Sequence, residues 1–153
     1  SFEIHLISNL RQEDYDQMSH ELKKIANEWH DIQKYSDLQA VKYLRSLKID
    51  ILFDLSGFTQ GNRLELIARR CARSQIGWLG YNNSLGLKNL DYLISDKNLI
   101  KDNELNLYSE KILFMPKIWN ALTPPNYLPA IHNNFKNNQS IFSFCSGVSG
   151  GMG

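Results

Sequence analysis

The 153-residue sequence predicts an α/β protein with a Rossmann-like, mostly parallel sheet and flanking helices. Three observations carry that reading. Short apolar strand segments alternate with stretches whose apolar residues recur every three or four positions. One segment, "IDILFDL" from Ile49 to Leu55, is apolar almost without interruption, the pattern of a strand covered on both faces in a parallel sheet. The loops that leave the strands are rich in glycine and small polar residues, the composition of tight strand-to-helix turns.

Each element has its own justification. Phe2 to Ser8 alternates and then runs apolar, which predicts a strand. From Gln12 to Trp29, the apolar positions Tyr15, Met18, Leu22, Ile25 and Trp29 step by helical spacing, so a helix burying that stripe is expected. Glu13 and Asp14 suit the positive end of its dipole. "SDLQAVKYLRSLK" predicts a second helix, with Ser36 and Gln39 as a capping box and Leu38, Val41, Leu44 and Leu47 as its buried stripe. After the Ile49–Leu55 strand, "SGFTQG" reads as a loop and "NRLELIARR" as a short helix. "SQIGWL", "DYLISD" and "EKILFMP" read as further strands. This alternation at close spacing implies right-handed crossovers and a parallel sheet.

Residues 1–125 therefore form one expected lobe. The prolines of "TPPNYLPA" and the polar "HNNFKNNQS" mark 126–153 as a linker with a glycine-rich end. The chain opens with Ser1 inside a strand-like segment, so it reads as a fragment of a longer polypeptide. It carries 17 basic and 16 acidic residues, for a net charge of +1. That balance offers no electrostatic case for nucleic acid or an anionic membrane. Its longest apolar runs are only a few residues, too short for a membrane span, and no signal peptide is visible. Cys71 and Cys145 form no redox or metal motif, and His5, His20, His30 and His132 share no ligand spacing. A reducing, cytoplasmic setting without a metal is the expectation.

In an open parallel sheet, ligands bind at the carboxyl ends of the strands. Two loops fall there. In Asp54 to Arg63, Gly57 and Gly61 allow a sharp turn or a close approach, and Asn62 and Arg63 open a helix. The same residues fit a plain turn capped by Asn62. Asp54 is either a base or electrostatic partner, or an acceptor for the amides of its own loop. Arg69, Arg70 and Arg73 cluster at a helix end, where charge complements the dipole. The second loop, "WLGYNNSLG" from Trp78 to Gly86, reads as a turn or as the wall of a site.

Taken in order, "IDILFDLSGFTQGNRLELIARR", "QIGWLGY", "LDYLISD" and "YSEKILFMP" resemble the catalytic region of the O-GlcNAc transferase / SPINDLY family of glycosyltransferases. The resemblance covers Phe2 to Pro125 and is densest from Ile49 to Pro116. It implies part of the N-terminal lobe of a two-lobe, GT-B type enzyme. Such enzymes transfer N-acetylglucosamine or a related sugar from a nucleotide diphosphate sugar, usually UDP-N-acetylglucosamine, to Ser or Thr of proteins. No metal or other cofactor is implied. The missing second lobe would supply the amides and lysine that hold the diphosphate, and tetratricopeptide repeats can lie upstream. The fragment alone is therefore expected to be inactive, and no catalytic residue is assigned within it. By motif position, the sugar and acceptor cleft would take Phe58, Thr59, Arg63, Leu79, Gly80, Tyr81, Asn82 and Ser84. Phe58 stands where the family has His or Tyr. Asn82 and Asn83 replace a proline and a glycine, with Asn83 expected to keep a left-handed turn. Leu85 replaces a small hydroxyl residue and would narrow the pocket. The stretch from Ala68 to Arg73 lacks two family prolines. These departures support an alternative, a non-catalytic lobe that binds a nucleotide sugar or a protein partner.

Overall fold

The computed structural model describes residues 2–120. Within them lie β1 (His5–Ser8), α1 (Gln17–Ile25), β2 (Glu28–Asp31), α2 (Asp37–Ser46), β3 (Ile51–Asp54), α3 (Leu64–Ala68), β4 (Ser74–Gly77), β5 (Tyr92–Ser95) and β6 (Lys111–Phe114). Short 3-10 turns cover Gln12–Asp14 and Asp102–Leu107. Every strand pairing is parallel. The fold class is α/β, as the alternation predicts. The strands form two sheets, however: β1 with β2, and a second sheet ordered β3, β4, β5, β6. The expected boundary at 125 and the linker beyond it lie outside the described residues.

Locally encoded signals are realised closely. Ser36 Oγ accepts the Gln39 amide at 3.3 Å, and Gln39 Oε1 accepts the Ser36 amide at 2.9 Å. This satisfies amide groups that the first turn of α2 leaves free. Val41 and Leu44 are buried as expected, joined by Ala40, while Leu38 is exposed.

The first predicted helix is corrected. Glu13 and Asp14 belong to a 3-10 turn, and Asp16 caps α1 by accepting the Ser19 amide at 2.7 Å. The helix stops at Ile25, and Trp29 lies in β2, paired with Leu6. Helical spacing continued across a boundary that sheet pairing decides: the amides of Asn27 and Glu28 both donate to the Ile4 carbonyl. The expected burial of the α1 stripe is also corrected, since Met18, Leu22 and Ile25 are exposed. So is the two-sided cover of β3, where Leu52 packs inward but Ile51 and Phe53 are exposed.

The two helices beside β2 lie on opposite faces. Neighbouring strand residues point to opposite sides of a sheet. Trp29 meets Tyr15 edge-on and Lys23 of α1, whereas the adjacent His30 donates to or accepts from Tyr43 of α2 at 2.7 Å. On the α2 side, Ile32, Ala40, Val41, Leu44, Leu66 and Cys71 form one core cluster against which both Ile7 and Leu52 pack. A second cluster, Ile67, Leu85 and Leu90, fills the space beneath α3. The buried Gln75 side chain ties them together, accepting from the Cys71 amide and donating to the carbonyls of Ile67 and Asn89. Arg70 is not a helix cap. It turns away with a φ of 58° and grips Asp91 through both terminal nitrogens, at 3.0 and 2.6 Å. Arg69 pairs with Glu65. Among the described residues no helix is long and apolar enough to cross a membrane.

Candidate functional site

The two glycine-bearing loops meet at the carboxyl edge of β3 and β4. Asp54, the last residue of β3, accepts the amides of Ser56 and Gly57, both at 3.1 Å, so its carboxylate shapes the loop. The loop turns through Gly57, whose φ is +56°, a conformation that L residues other than glycine rarely adopt. A Cβ on Gly57 would fall 2.3 Å from Tyr81 Cβ, so the loop backbone touches the second loop directly. Phe58, half exposed, meets the Tyr81 ring edge to face at 5.2 Å.

The second loop leaves β4 through Trp78, whose amide donates to Asp54 O and whose indole N–H donates to Trp119 O. Leu79 follows with a φ of 72°, unusual for a branched residue. It remains 44% exposed, so its side chain projects from the edge while its backbone is strained. A Cβ on Gly80 would stand 2.2 Å from Leu55 O. This glycine therefore permits close approach of the chain to itself, and the expectation that it makes room for a ligand is not needed to explain it.

Arg63 is committed to the protein's own atoms. Its Nε donates to Asp37 at 2.7 Å, its Nη1 to Asn9 at 2.8 Å, and its Nη2 to Tyr35 O at 3.0 Å. It ties the ends of β1, β2 and β3 to the start of α2. Thr59 Oγ1 is exposed and donates to Ser56 O; Asn62 Oδ1 accepts the Leu64 amide in a turn, while the cap position of α3 is Arg63 and carries no side-chain cap. Ser84 donates to Glu110 at 2.7 Å and accepts the Gly86 amide. Leu85 does not narrow a pocket: it is buried against Ile67 and Leu90. Nor is Asn83 left-handed. Leu79 and Gly86 carry the positive φ values of this loop, and Asn83 Oδ1 caps the Ser84 amide instead. Asn82 is exposed beside them.

The structure thus brings Phe58, Thr59, Leu79, Gly80 and Tyr81 to one edge. It turns Arg63 into the fold and anchors Ser84 to Glu110, the residue before β6. Sequence reasoning missed Glu110, a carboxylate only 5% exposed that holds both Ser84 and the Leu85 amide. No local pattern reveals a partner so distant along the chain. Away from this edge, His5 Nδ1 lies 2.8 Å from His30 Nε2, with the rings stacked. Burial, and then the neighbouring His5, lowers the pKa of His30. Among the described residues no group of three or more His, Cys, Asp or Glu is placed to hold a metal ion. A cavity of 340 Å³ lies between Arg45, Asp50 and Arg73, at the amino ends of β3 and β4. That is the end of the sheet opposite the loops, where Arg45 and Arg70 are held by carbonyls and by Asp91.

The family model of glycosyl transferase family 41 matches residues 2–134. The chain belongs to glycosyl transferase family 41. Among curated proteins, it is 33% identical over 113 residues to a protein of Hordeum vulgare named probable UDP-N-acetylglucosamine--peptide N-acetylglucosaminyltransferase SPINDLY. It is 31% identical over 113 residues to the protein of that name from Eustoma exaltatum subsp. russellianum. Each alignment covers 70% of this chain and 12% of the relative, so the chain spans a small part of these family 41 proteins. Among solved structures, a Thermobaculum terrenum O-GlcNAc transferase carrying the mutation K341M superimposes with a TM-score of 0.77 at 30% identity. The match covers 86% of this chain and 25% of that one.

Proposed function

We propose that this family 41 segment forms the donor-facing wall of a protein O-glycosyltransferase of the two-lobe, GT-B type. The parent enzyme moves N-acetylglucosamine from UDP-N-acetylglucosamine to Ser and Thr hydroxyls of protein acceptors. The observation that carries this reading is the fastening of the two loops at the carboxyl edge of β3 and β4, with Leu79 projecting from it. In a parallel sheet that edge is where ligands are held. The relatives' names supply the donor and the acceptor class.

The division of labour follows from charge. Sugar transfer needs fixed positive groups where the diphosphate departs. The guanidinium of Arg63 is already spent on Asp37, Asn9 and Tyr35 O. This chain therefore supplies shape and apolar contact, and the charge comes from a second lobe of the parent protein. Upstream tetratricopeptide repeats fit the same parent, as grips for the acceptor. The free, buried thiol of Cys71 suits a reducing, cytoplasmic compartment.

Leu79→Gly in the full-length parent tests the wall. Glycine adopts φ 72° freely, so the thermal midpoint should hold or rise. Loss of the apolar contact, about 1.4 kcal/mol, should raise KM for UDP-N-acetylglucosamine about tenfold. An unchanged KM would remove Leu79 from the donor pocket.

A further inference from the structure

The cavity at the amino ends of β3 and β4 is basic. Arg45, Lys48, Arg70 and Arg73 line it, with Asp50 as its acidic residue. Arg70 is neutralised there by Asp91, which it grips through both terminal nitrogens. Arg45 donates through Nε to Arg70 O at 3.1 Å and through Nη2 to Arg69 O at 2.6 Å. That tether fixes the guanidinium and leaves Nη1 without a protein acceptor among the described residues. Lys48 and Arg73 are exposed, and among the described residues neither side chain pairs with a carboxylate. Against Arg45, Lys48 and Arg73 stand Asp50 and about half a negative charge at the carboxyl end of each of α2 and α3, so the cavity stays net positive. Backbone strain marks the same place. Lys48 and Arg70 each stand one residue past the cap of a helix, with φ values of 54° and 58°. Glycine is the usual residue there. Asp91 explains Arg70, whereas the strained backbone of Lys48 sets a cation at the cavity with no carboxylate partner among the described residues.

We propose that this cavity binds a phosphoryl dianion, either inorganic phosphate or the head of a small phosphate ester. The cations select that chemistry. A phosphoryl group brings three acceptor oxygens and a charge of about −2, enough to meet Arg45, Lys48 and Arg73 together. A lone carboxylate brings fewer oxygens and half the charge. Arg45 and Arg73 carry planar forks that match phosphate oxygens, and Lys48 adds a compact point charge. The carbonyls of Arg69 and Arg70 already hold Arg45, so it loses little side-chain freedom on binding. The cavity volume of 340 Å³ lies within the range of small-molecule sites, about 300–1,000 Å³. The site is at the opposite end of the sheet from Leu79 and does not depend on the donor-wall reading.

The reactivity of Lys48 tests it in the full-length parent. Its rate of acetylation by an activated ester is read by peptide mass spectrometry, with the exposed Lys24 of α1 as reference. For a Kd of about 1 mM, phosphate at about 10 mM fills roughly nine sites in ten, so Lys48 should react about tenfold more slowly while Lys24 keeps its rate. Sodium chloride at the same ionic strength should protect neither. Equal slowing at both lysines, equal protection by chloride, or no slowing at all would overturn the proposal. So would a Lys48 that is unreactive without phosphate, because the cavity would then be closed in the parent. Arg73→Gln is a second readout on an exposed residue. It should leave the thermal midpoint within about 1 °C and cut the protection of Lys48 to about threefold or less. Full protection in that variant would reject Arg73 as a ligand and the shared site with it. O-phosphoserine at the same concentration separates the sources: stronger protection than inorganic phosphate assigns the ester, and weaker protection assigns the free anion.

Discussion

Leu79 and Gly80 are adjacent and have opposite requirements. Leu79 tolerates a left-handed backbone that costs energy, of order 1–3 kcal/mol, of the kind found at functional sites. Gly80 has no such freedom, because any side chain would meet Leu55 O. A bulky substitution at Gly80 thus reports on folding, while a change at the exposed Leu79 tests the proposed donor wall. His30 is a titrating residue with a stability consequence near neutral pH. Burial lowers its pKa, so the unfolded chain binds a proton before the folded one does. The sign follows: its contribution is full above about pH 6.5 and is lost as pH falls through the lowered folded value. Thermal unfolding between about pH 7.5 and 5 should show the decline, and His30→Gln should flatten it. A flat wild-type profile would show that His30 does not govern acid stability.

Among elements, the Trp78–Gly86 loop depends for its shape on Glu110, at the entry to β6. Glu110 takes the Ser84 hydroxyl and the Leu85 amide, and both are distant in sequence. Glu110→Ala leaves that amide and hydroxyl without their charged acceptor and should cost about 2–3 kcal/mol in urea unfolding. Faster amide exchange at Leu85 and Gly86 should accompany it. Loss of stability without faster exchange in the loop would mean that Glu110 supports β6 alone. Helix α2 shows the opposite dependence, since its capping box is complete within four residues. The first predicted helix ends early, at Ile25, because Trp29 keeps helical spacing while its backbone pairs with β1.

For the whole molecule, Arg63 decides whether three strand ends and α2 move together. Its partners are Asp37, Asn9, Ile32 O and Tyr35 O, and the side chain is only 19% exposed. Arg63→Met should destabilise the chain by about 2–3 kcal/mol, since it strands an acidic group and carbonyls. Measured in the full-length parent, that loss should appear in the thermal midpoint, with weaker donor binding recovered at lower temperature. Weakened donor binding with an unchanged midpoint would instead make Arg63 a ligand contact. At the same scale, Ile4, Ile51 and Phe53 are apolar and exposed among the described residues, on the side away from α2.

The sequence by itself determined what depends on near neighbours. That includes the α2 capping box, the parallel α/β alternation, the turns at Gly57 and Asn62, and the motif blocks that carry family membership. It also singled out Leu79 and Gly80, though not which of the two is free to meet a ligand. Only the tertiary structure decided the rest. Arg63 became a clamp, Leu85 a core residue, Glu110 an anchor and Trp29 a strand residue, through partners as far as 54 positions away. The physical reason is that caps and turns are satisfied by hydrogen bonds within one turn of chain. Burial and strand pairing depend on which distant surface arrives. Ile51 and Phe53 make the point most clearly, since their apolar pattern is that of a covered strand while both are exposed among the described residues.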